Sequence, residues 1–312
     1  MPRQGRDTVP VQKRQLSKTI YRDRFLYLML LPGLMYFIVY RYVPMAGLAI
    51  AFQRYFPLRG FAGSEWVGFA NFERIFRSPE IARVFRNTLT LSFAKIIFAF
   101  PVPIVLALII NEIRIGSVKK TVQTLSYLPH FLSWAVFGEI ILVFLSGDGA
   151  INHIISALGG EKIYFVIEPA LFQPIAVLSA ILKNSGWGTI VYLAAISSVD
   201  PQLYEAAKMD GANRLQRIRH ITLPSIKSVI VILLIIRIGY IMDAGFHQVL
   251  VLYNDAVLET ADIFGTYTYR VGLSQGEYSL ATAVGLFQGV VGFVLVWMAN
   301  RFAKRIGEEG VW

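Results

Sequence analysis

Residues 87–110 read NTLTLSFAKIIFAFPVPIVLALII and carry a single charged side chain, that of Lys95. A helix needs about 20 mostly apolar residues to cross the hydrocarbon core of a bilayer, and this stretch is long enough. Its prolines, Pro101 and Pro103, would break a helix in a soluble protein, but proline is common in membrane helices. The stretch therefore predicts a membrane-spanning helix and places the chain among integral membrane proteins.

The composition of the whole chain favours the same class. The 312 residues are 55% hydrophobic and 16% charged, with a mean hydropathy of +0.54, whereas a soluble domain carries about 25% charged residues. Five further apolar blocks approach or exceed the length of a span, and they lie at 25–42, 122–145, 171–195, 226–249 and 281–300. We therefore expect an all-α polytopic protein with about six transmembrane helices, the first of them retained rather than cleaved as a signal peptide.

The distribution of basic residues predicts the orientation. With the N-terminus inside, the inside segments hold 18 Lys and Arg and the outside segments hold 7, as the positive-inside rule requires. Both ends are then cytoplasmic, with residues 1–24 forming a basic cytoplasmic tail and residues 25–312 one membrane domain. The net charge of +10 is explained by these flanks, so it does not indicate nucleic-acid binding.

The first outside segment departs from this trend. It carries five arginines, which are Arg54, Arg59, Arg74, Arg77 and Arg83. Within it, residues 69–79 place aromatic and aliphatic side chains at three- and four-residue spacing, which predicts a short amphipathic helix. This helix could lie at the membrane interface or be an ordinary solvated helix, and the pattern favours neither.

The longest inside loop, residues 198–224, shows the clearest local order. Asp200 can cap a helix that begins at Pro201, and Gly211 can take the left-handed conformation that ends it. A second short helix follows and Pro224 marks the entry to the next span. Such a loop suits the docking of a partner protein, but packing against its own helix ends would give the same pattern.

Three segments of this loop resemble a known motif. Glu205-Ala206-Ala207, Asp210-Gly211-Ala212 and Ile221-Thr222-Leu223-Pro224 are similar to the EAA loop of binding-protein-dependent ABC importer permeases, the MetI-like transmembrane family. The resemblance extends over most of the chain and favours the carbohydrate branch, through residues 30–33, 67–72, 87–89 and 190–195. Residues 42–52 resemble the LplB-type polysaccharide permeases of that branch.

The resemblance implies a role for the loop and a set of partners. It implies a coupling helix in a cleft of a cytoplasmic ATPase dimer, with docking residues Glu205, Ala206, Ala207, Asp210, Gly211, Leu223 and Pro224. A second, related permease would complete the pathway, and an extracytoplasmic solute-binding protein would deliver the carbohydrate. The chain itself would then be no enzyme and hold no cofactor, since ATP and Mg²⁺ would be used by the partner ATPase.

Direct inspection of the sequence excludes several enzyme classes. The chain has no cysteine and four scattered histidines, so disulfides, cysteine nucleophiles and zinc sites are not expected. It also lacks the Gly-x-x-x-x-Gly-Lys-Ser/Thr loop for nucleotide phosphates and the His-Glu-x-x-His metalloprotease motif.

Several charged residues fall inside predicted spans, namely Lys95, Glu139, Lys183, Arg237 and Asp243. Charges at this depth are costly and commonly face a bundle interior or a water path. One hypothesis is that Lys183 and Arg237, with Lys95, line the substrate pathway and attract an anionic sugar. Asn184 and Trp187 would then offer a polar donor and a stacking surface. The alternative is an internal ion-pair network, for example between Glu139 and one of these cations.

The residues leave three function classes open. The first is the carbohydrate permease of an ABC importer in a bacterial plasma membrane. The second is a secondary transporter driven by an ion gradient, which predicts paired broken helices in two related halves, and a second half is not visible. The third is a membrane receptor or assembly factor that binds a cytoplasmic protein at residues 198–224.

Overall fold

The computed structural model describes residues 21–305, 307 and 310, so most of the predicted basic tail, residues 1–20, lies outside the described residues. The described residues divide into two compact units, with the boundary between Ala49 and Ile50. In the first unit, helix α1 (Arg24–Phe37) continues through a π turn, Ile38–Tyr42, and a short helix, Val43–Met45. A 3₁₀ segment, Ala46–Phe52, begins in this unit and ends in the second.

The second unit is almost entirely helical. Its main helices are α2 (Ala70–Arg77), α3 (Pro79–Ala94), α4 (Pro101–Glu112), α5 (Gly116–Tyr127), α6 (Trp134–Leu145), α7 (Ala150–Ala157), α8 (Pro169–Ser197), α9 (Pro201–Met209), α11 (Lys227–Gly239), α12 (Phe246–Leu252) and α13 (Tyr278–Arg305). The short helix between α9 and α11 is α10 (Arg214–Arg217). Short helical turns lie at Gly60–Gly63, Leu128–Phe131, Leu223–Ser225, Asp255–Val257, Leu258–Ala261 and Phe264–Thr268. Further π turns lie at Lys95–Ala99, Ile218–Thr222 and Tyr269–Ser274.

Among the described residues, the strands form one small hairpin in the first outside segment. Strand β1 (Gln53–Arg54) pairs antiparallel with β2 (Glu65–Trp66). The Asn71 side chain of α2 donates hydrogen bonds to the carbonyls of Ala51 and Gln53, at 2.9 and 3.0 Å. The predicted amphipathic helix is thus confirmed as α2, and its buried Asn71 and Ile75 pack it against the rest of the second unit.

Within the described residues, four helical stretches are long and apolar enough to cross a membrane, and they are Arg24–Phe52, Pro79–Glu112, Trp134–Ala157 and Tyr278–Arg305. A bent pair, Arg214–Ser225 with Lys227–Gly239, makes a fifth if the two are one span. The 29-residue helix α8, which covers the predicted span 171–195, is about 43 Å long. Its polar side chains lower its hydropathy, and four of them, those of Ser179, Lys183, Ser185 and Thr189, are buried within the fold.

Two predicted spans are broken in the structure. The block 122–145 splits into α5 and α6 around a 3₁₀ turn at Leu128–Phe131. The block 226–249 splits into α11 and α12, and Ala244 and Gly245 between them have φ of 50° and 87°. Broken backbone at membrane depth is tolerated only where other groups satisfy its carbonyls and amides. Both breaks are satisfied by polar side chains from distant helices, as described below.

Helix α8 is the centre of the bundle, because it contacts α4, α5, α12 and both turns at 95–99 and 128–131. Small residues allow helices in a membrane to approach closely. Gly186 of α8 lies so near α5 that an added Cβ would collide with the backbone carbonyl of Ser126. The glycine is therefore required at this crossing.

Gly186→Ala is expected to destabilise the bundle by about 1–3 kcal/mol, since the two backbones would have to move apart. Gly285→Ala on α13 is the matched control, because nothing lies within 4 Å of the added methyl group there. Thermal unfolding of the two purified variants in detergent would measure the difference. Equal melting temperatures would contradict the close crossing.

Candidate functional site

The cytoplasmic loop forms two short capped helices, as the sequence predicted. The Asp200 carboxylate accepts a hydrogen bond from the amide of Gln202 at 2.9 Å, which caps α9 at its first turn. Gly211 ends this region with a φ of +77°. Helix α10 begins with a reciprocal capping box, in which Asn213 and Gln216 each bond the other's backbone amide.

The loop is tied to the membrane helices at two points. The hydroxyls of Tyr204 and buried Thr222 lie 3.0 Å apart, which joins α9 to the start of span five. The Arg214 guanidinium lies 3.8 Å from the carboxylate of Glu112 at the end of α4. A displacement of the loop would therefore be passed to the inner ends of two spans.

Most of the predicted docking residues are exposed. Glu205 and Ala206 are exposed, and the large apolar side chains of Leu203, Met209 and Leu215 are exposed beside them, with Met209 88% exposed. Ala207, Asp210 and Gly211 line a shallow groove of about 340 Å³. Leu223 is partly buried and Pro224 exposed where the next helix begins. An apolar surface around a carboxylate suits a protein partner.

Lys183 is buried, and its ammonium group donates hydrogen bonds to backbone carbonyls at the break in span three. It donates hydrogen bonds to the carbonyls of Pro129, His130 and Leu132, the first two at 3.1 Å. Trp134 also lies under the cation, at 5.4 Å from its ring centroid. All three carbonyls lie at the end of the 3₁₀ turn, and that of Pro129 also accepts from the amide of Leu132 at 3.3 Å. Lys183 thus satisfies the carbonyl groups at the break, and it forms no ion pair with Glu139.

Lys95 likewise donates hydrogen bonds to groups at the break in span five. It is 2% exposed and donates to the carbonyl of Ala244 at 2.7 Å and to the side-chain oxygen of Gln248 at 2.5 Å. Ser92 bonds the carbonyl of Ile241, and Gln288 bonds that of Met242 at 2.8 Å. Helix α3, with the π turn that follows it, and helix α13 therefore supply the hydrogen bonds that the unwound segment has lost.

Arg237 and Asn184, by contrast, meet at an open cleft. Both are exposed and line a cavity of about 430 Å³ between α4, α8 and α11, together with Tyr240. Asp243 is the acidic residue whose charge interacts with Arg237. Trp187 lies outside this cavity and stacks on His130, with ring centroids 4.7 Å apart. Of the predicted pathway residues, the structure thus brings together Arg237 and Asn184 at a solvent-accessible surface.

Sequence reasoning missed three polar residues at the break in span five. Tyr240 and His247 are exposed at the break, and Gln248 is buried within it. The pair of Gly239 and Gly245 was the available indication, since glycine in a helix interior costs about 1 kcal/mol relative to alanine.

At the outer end of the helix bundle lies a cluster of charged side chains. Asp262 is fully buried and accepts from Thr266 at 2.7 Å and from Arg270 at 2.6 Å, while Arg270 also bonds Glu80 at 2.9 Å. Burial raises the pKa of the Asp262 carboxyl, and its hydrogen bonds with Thr266 and Arg270 oppose that rise. The cluster joins the outer segment between spans five and six to the first turn of α3.

A family model described as "Binding-protein-dependent transport system inner membrane component" matches residues 85–308. The chain belongs to this family. The matched range contains every helix from the middle of α3 to the end of α13. It includes the cytoplasmic loop at residues 198–224, which is called the coupling loop from here on. The permease is therefore a multi-pass protein of the bacterial plasma membrane, as the resemblance implied.

Relatives of the permease transport carbohydrates. It is 52% identical over 302 residues to the polygalacturonan/rhamnogalacturonan transport system permease protein YteP of Bacillus subtilis, covering 96% of this chain and 94% of YteP. It is 49% identical to protein LplB of the same organism, covering 93% and 92%. A crystal structure of a bacterial alginate ABC transporter, in complex with an alginate pentasaccharide-bound periplasmic protein, contains a chain that is 44% identical with a TM-score of 0.89. That match covers 96% of the permease and 100% of the other chain.

Proposed function

We propose that this permease forms one half of the membrane pathway of an ABC importer for an acidic oligosaccharide. The 52% identity with a polygalacturonan/rhamnogalacturonan permease, over nearly the full length of both chains, carries the proposal. Galacturonan and alginate are both chains of uronic acids. The two transporters named for them therefore have substrates in which many sugar units carry one carboxylate. The exposed Arg237 in the cleft with Asn184 offers such a carboxylate a charged hydrogen-bond donor.

The proposed assembly has three kinds of partner. A second, related permease supplies the other half of the pathway, and a cytoplasmic ATPase dimer receives the exposed surface around Glu205 and Ala206. A solute-binding protein delivers the sugar from outside. ATP and Mg²⁺ are then used by the ATPase, and the permease converts its movement into alternate opening through the anchored coupling loop.

Uptake by proteoliposomes tests the proposal. Vesicles would contain the permease, its partner permease and the ATPase, with binding protein outside, and trigalacturonate would be the substrate. We expect uptake that needs both internal ATP and binding protein and that persists when ionophores collapse all ion gradients. Maltotriose is the neutral control, for which we expect at least about tenfold slower uptake, since a lost charge-assisted hydrogen bond costs about 1.5–3 kcal/mol. Uptake that follows a proton or sodium gradient without ATP would overturn the proposal.

A further inference from the structure

A second polar cavity, of about 660 Å³, lies at the outer end of the bundle. It is lined by residues 82–90 of α3, by the start of α8 and by the short helix Leu258–Ala261. Both α3 and α8 run inward from the outside in the predicted topology, so the cavity opens on the extracytoplasmic side. Its volume is within the range of small-molecule sites, about 300–1,000 Å³.

Two arginines of α3 face this cavity. Arg83 and Arg86 both line it and both are exposed. Their three-residue spacing places the guanidinium groups on one side of the helix, where like charges destabilise each other. Within the described part of the chain neither guanidinium has an ion-pair partner, whereas the neighbouring Arg74, Arg77 and Arg270 are all paired. The two positive charges are therefore available to a ligand.

The cavity wall around the arginines is rigid. Asn87 donates to the carbonyls of Glu259 and Asp262 at 2.9 and 3.1 Å, which fixes α3 to the segment after span five. Thr260 donates to the carbonyl of Pro169 at 2.7 Å, which fixes that segment to α8. These bonds use the side chains of Asn87 and Thr260 and leave the guanidinium groups free, so little ordering is needed when an anion binds.

The chemistry of the cavity favours a sugar acid. The lining contains two guanidinium groups and one carboxylate, that of Glu259, so it has net positive charge. Guanidinium groups bind carboxylates through paired hydrogen bonds. The amide of Gln173 and the apolar surfaces of Pro169 and Pro174 can contact the hydroxyls and C–H faces of a sugar ring.

We propose that this cavity is an outer subsite of the importer, in which Arg83 and Arg86 bind the carboxylates of a uronate oligosaccharide before it enters the membrane. The inference rests on the proposed function and adds a location and two binding residues to it. The Arg237 cleft and the outer subsite then form two successive anion-binding positions, one outside and one within the spans.

The Arg83→Gln/Arg86→Gln double variant tests the subsite in the complete reconstituted importer. At saturating loaded binding protein, we expect uptake of trigalacturonate to fall about tenfold, while uptake of its methyl ester changes less than twofold, because the ester lacks the charge. Arg59→Gln is the matched control, an exposed arginine of the same outside region that lies outside the cavity. Equal losses for the acid and the ester would overturn the proposal.

Two further measurements separate the other outcomes. The binding-protein concentration that half-maximally stimulates ATP hydrolysis should be unchanged in the double variant, and a rise would show that the arginines contact the binding protein instead of the sugar. Binding of trigalacturonate to the purified complex without binding protein should weaken about tenfold at low salt. If the wild-type complex transports no sugar, the proposed function fails, and this binding measurement alone decides whether the subsite exists.

Discussion

Replacing Glu205 with lysine is expected to reduce ATP-driven uptake at least about a hundredfold without unfolding the permease. Glu205 is exposed on α9, next to exposed Ala206 and near the apolar side chains of Leu203 and Met209. If this surface is covered by the ATPase, the carboxylate is desolvated there and must be paired. Truncating one partner of a buried interface pair costs about 2–5 kcal/mol, and reversing its charge adds repulsion.

The helix itself should tolerate the change. Its N-terminal cap and its tie to Thr222 use Asp200 and Tyr204, and both remain. The measurements are uptake in proteoliposomes and co-purification of the ATPase, with thermal unfolding to confirm the fold. Glu161→Lys, an exposed glutamate of an outside segment, is the matched control and should leave uptake unchanged. Normal uptake by the Glu205 variant would show that the ATPase docks elsewhere.

Replacing Lys95 with methionine is expected to destabilise the permease by about 2–6 kcal/mol. The change leaves the carbonyl of Ala244 and the side-chain oxygen of Gln248 buried without a donor, and each unsatisfied group costs about 1–3 kcal/mol. Gln248 also donates to the carbonyl of Ala176 at 2.5 Å and to Ser179 at 2.8 Å. Loss of Lys95 therefore weakens the contact between the unwound segment and α8.

A double-mutant cycle distinguishes this structural role from the pathway role that the sequence suggested. If Lys95 holds the break, Gln248→Met should cost much less in the Lys95→Met background than in the wild type, because the two act as a unit. If Lys95 contacts the sugar, the variant should melt normally and lose only acidic substrates. Thermal unfolding and uptake of trigalacturonate would be compared, with exposed Lys120→Met as the control.

Local features of the sequence were sufficient for the topology and the coupling loop. Span positions follow from hydropathy over about 20 residues, and the caps of α9 depend on residues two or three positions apart. Asp200, Pro201 and Gly211 have the predicted roles for this reason. The docking of the loop on an ATPase stays a prediction, because it depends on a second protein.

The intramembrane charges could not be assigned in this way. Hydropathy shows that Lys95, Lys183 and Arg237 are each costly in lipid, but not which of them has partners. Lys95 meets Ala244 across 149 residues of sequence, and Lys183 meets His130 across 53. Only such long-range contacts distinguish a lysine that satisfies broken backbone from an arginine that faces an open cleft.

The apolar block 87–110 thus determined by itself that the chain enters a membrane, since length and hydropathy are properties of the block alone. Tertiary structure decided what its one charged residue does. The same helix carries Arg83 and Arg86 just outside the block, and only the approach of α8 and of Leu258–Ala261 makes a cavity around them. A site needs groups from several segments, and their distances are set by packing rather than by order along the chain.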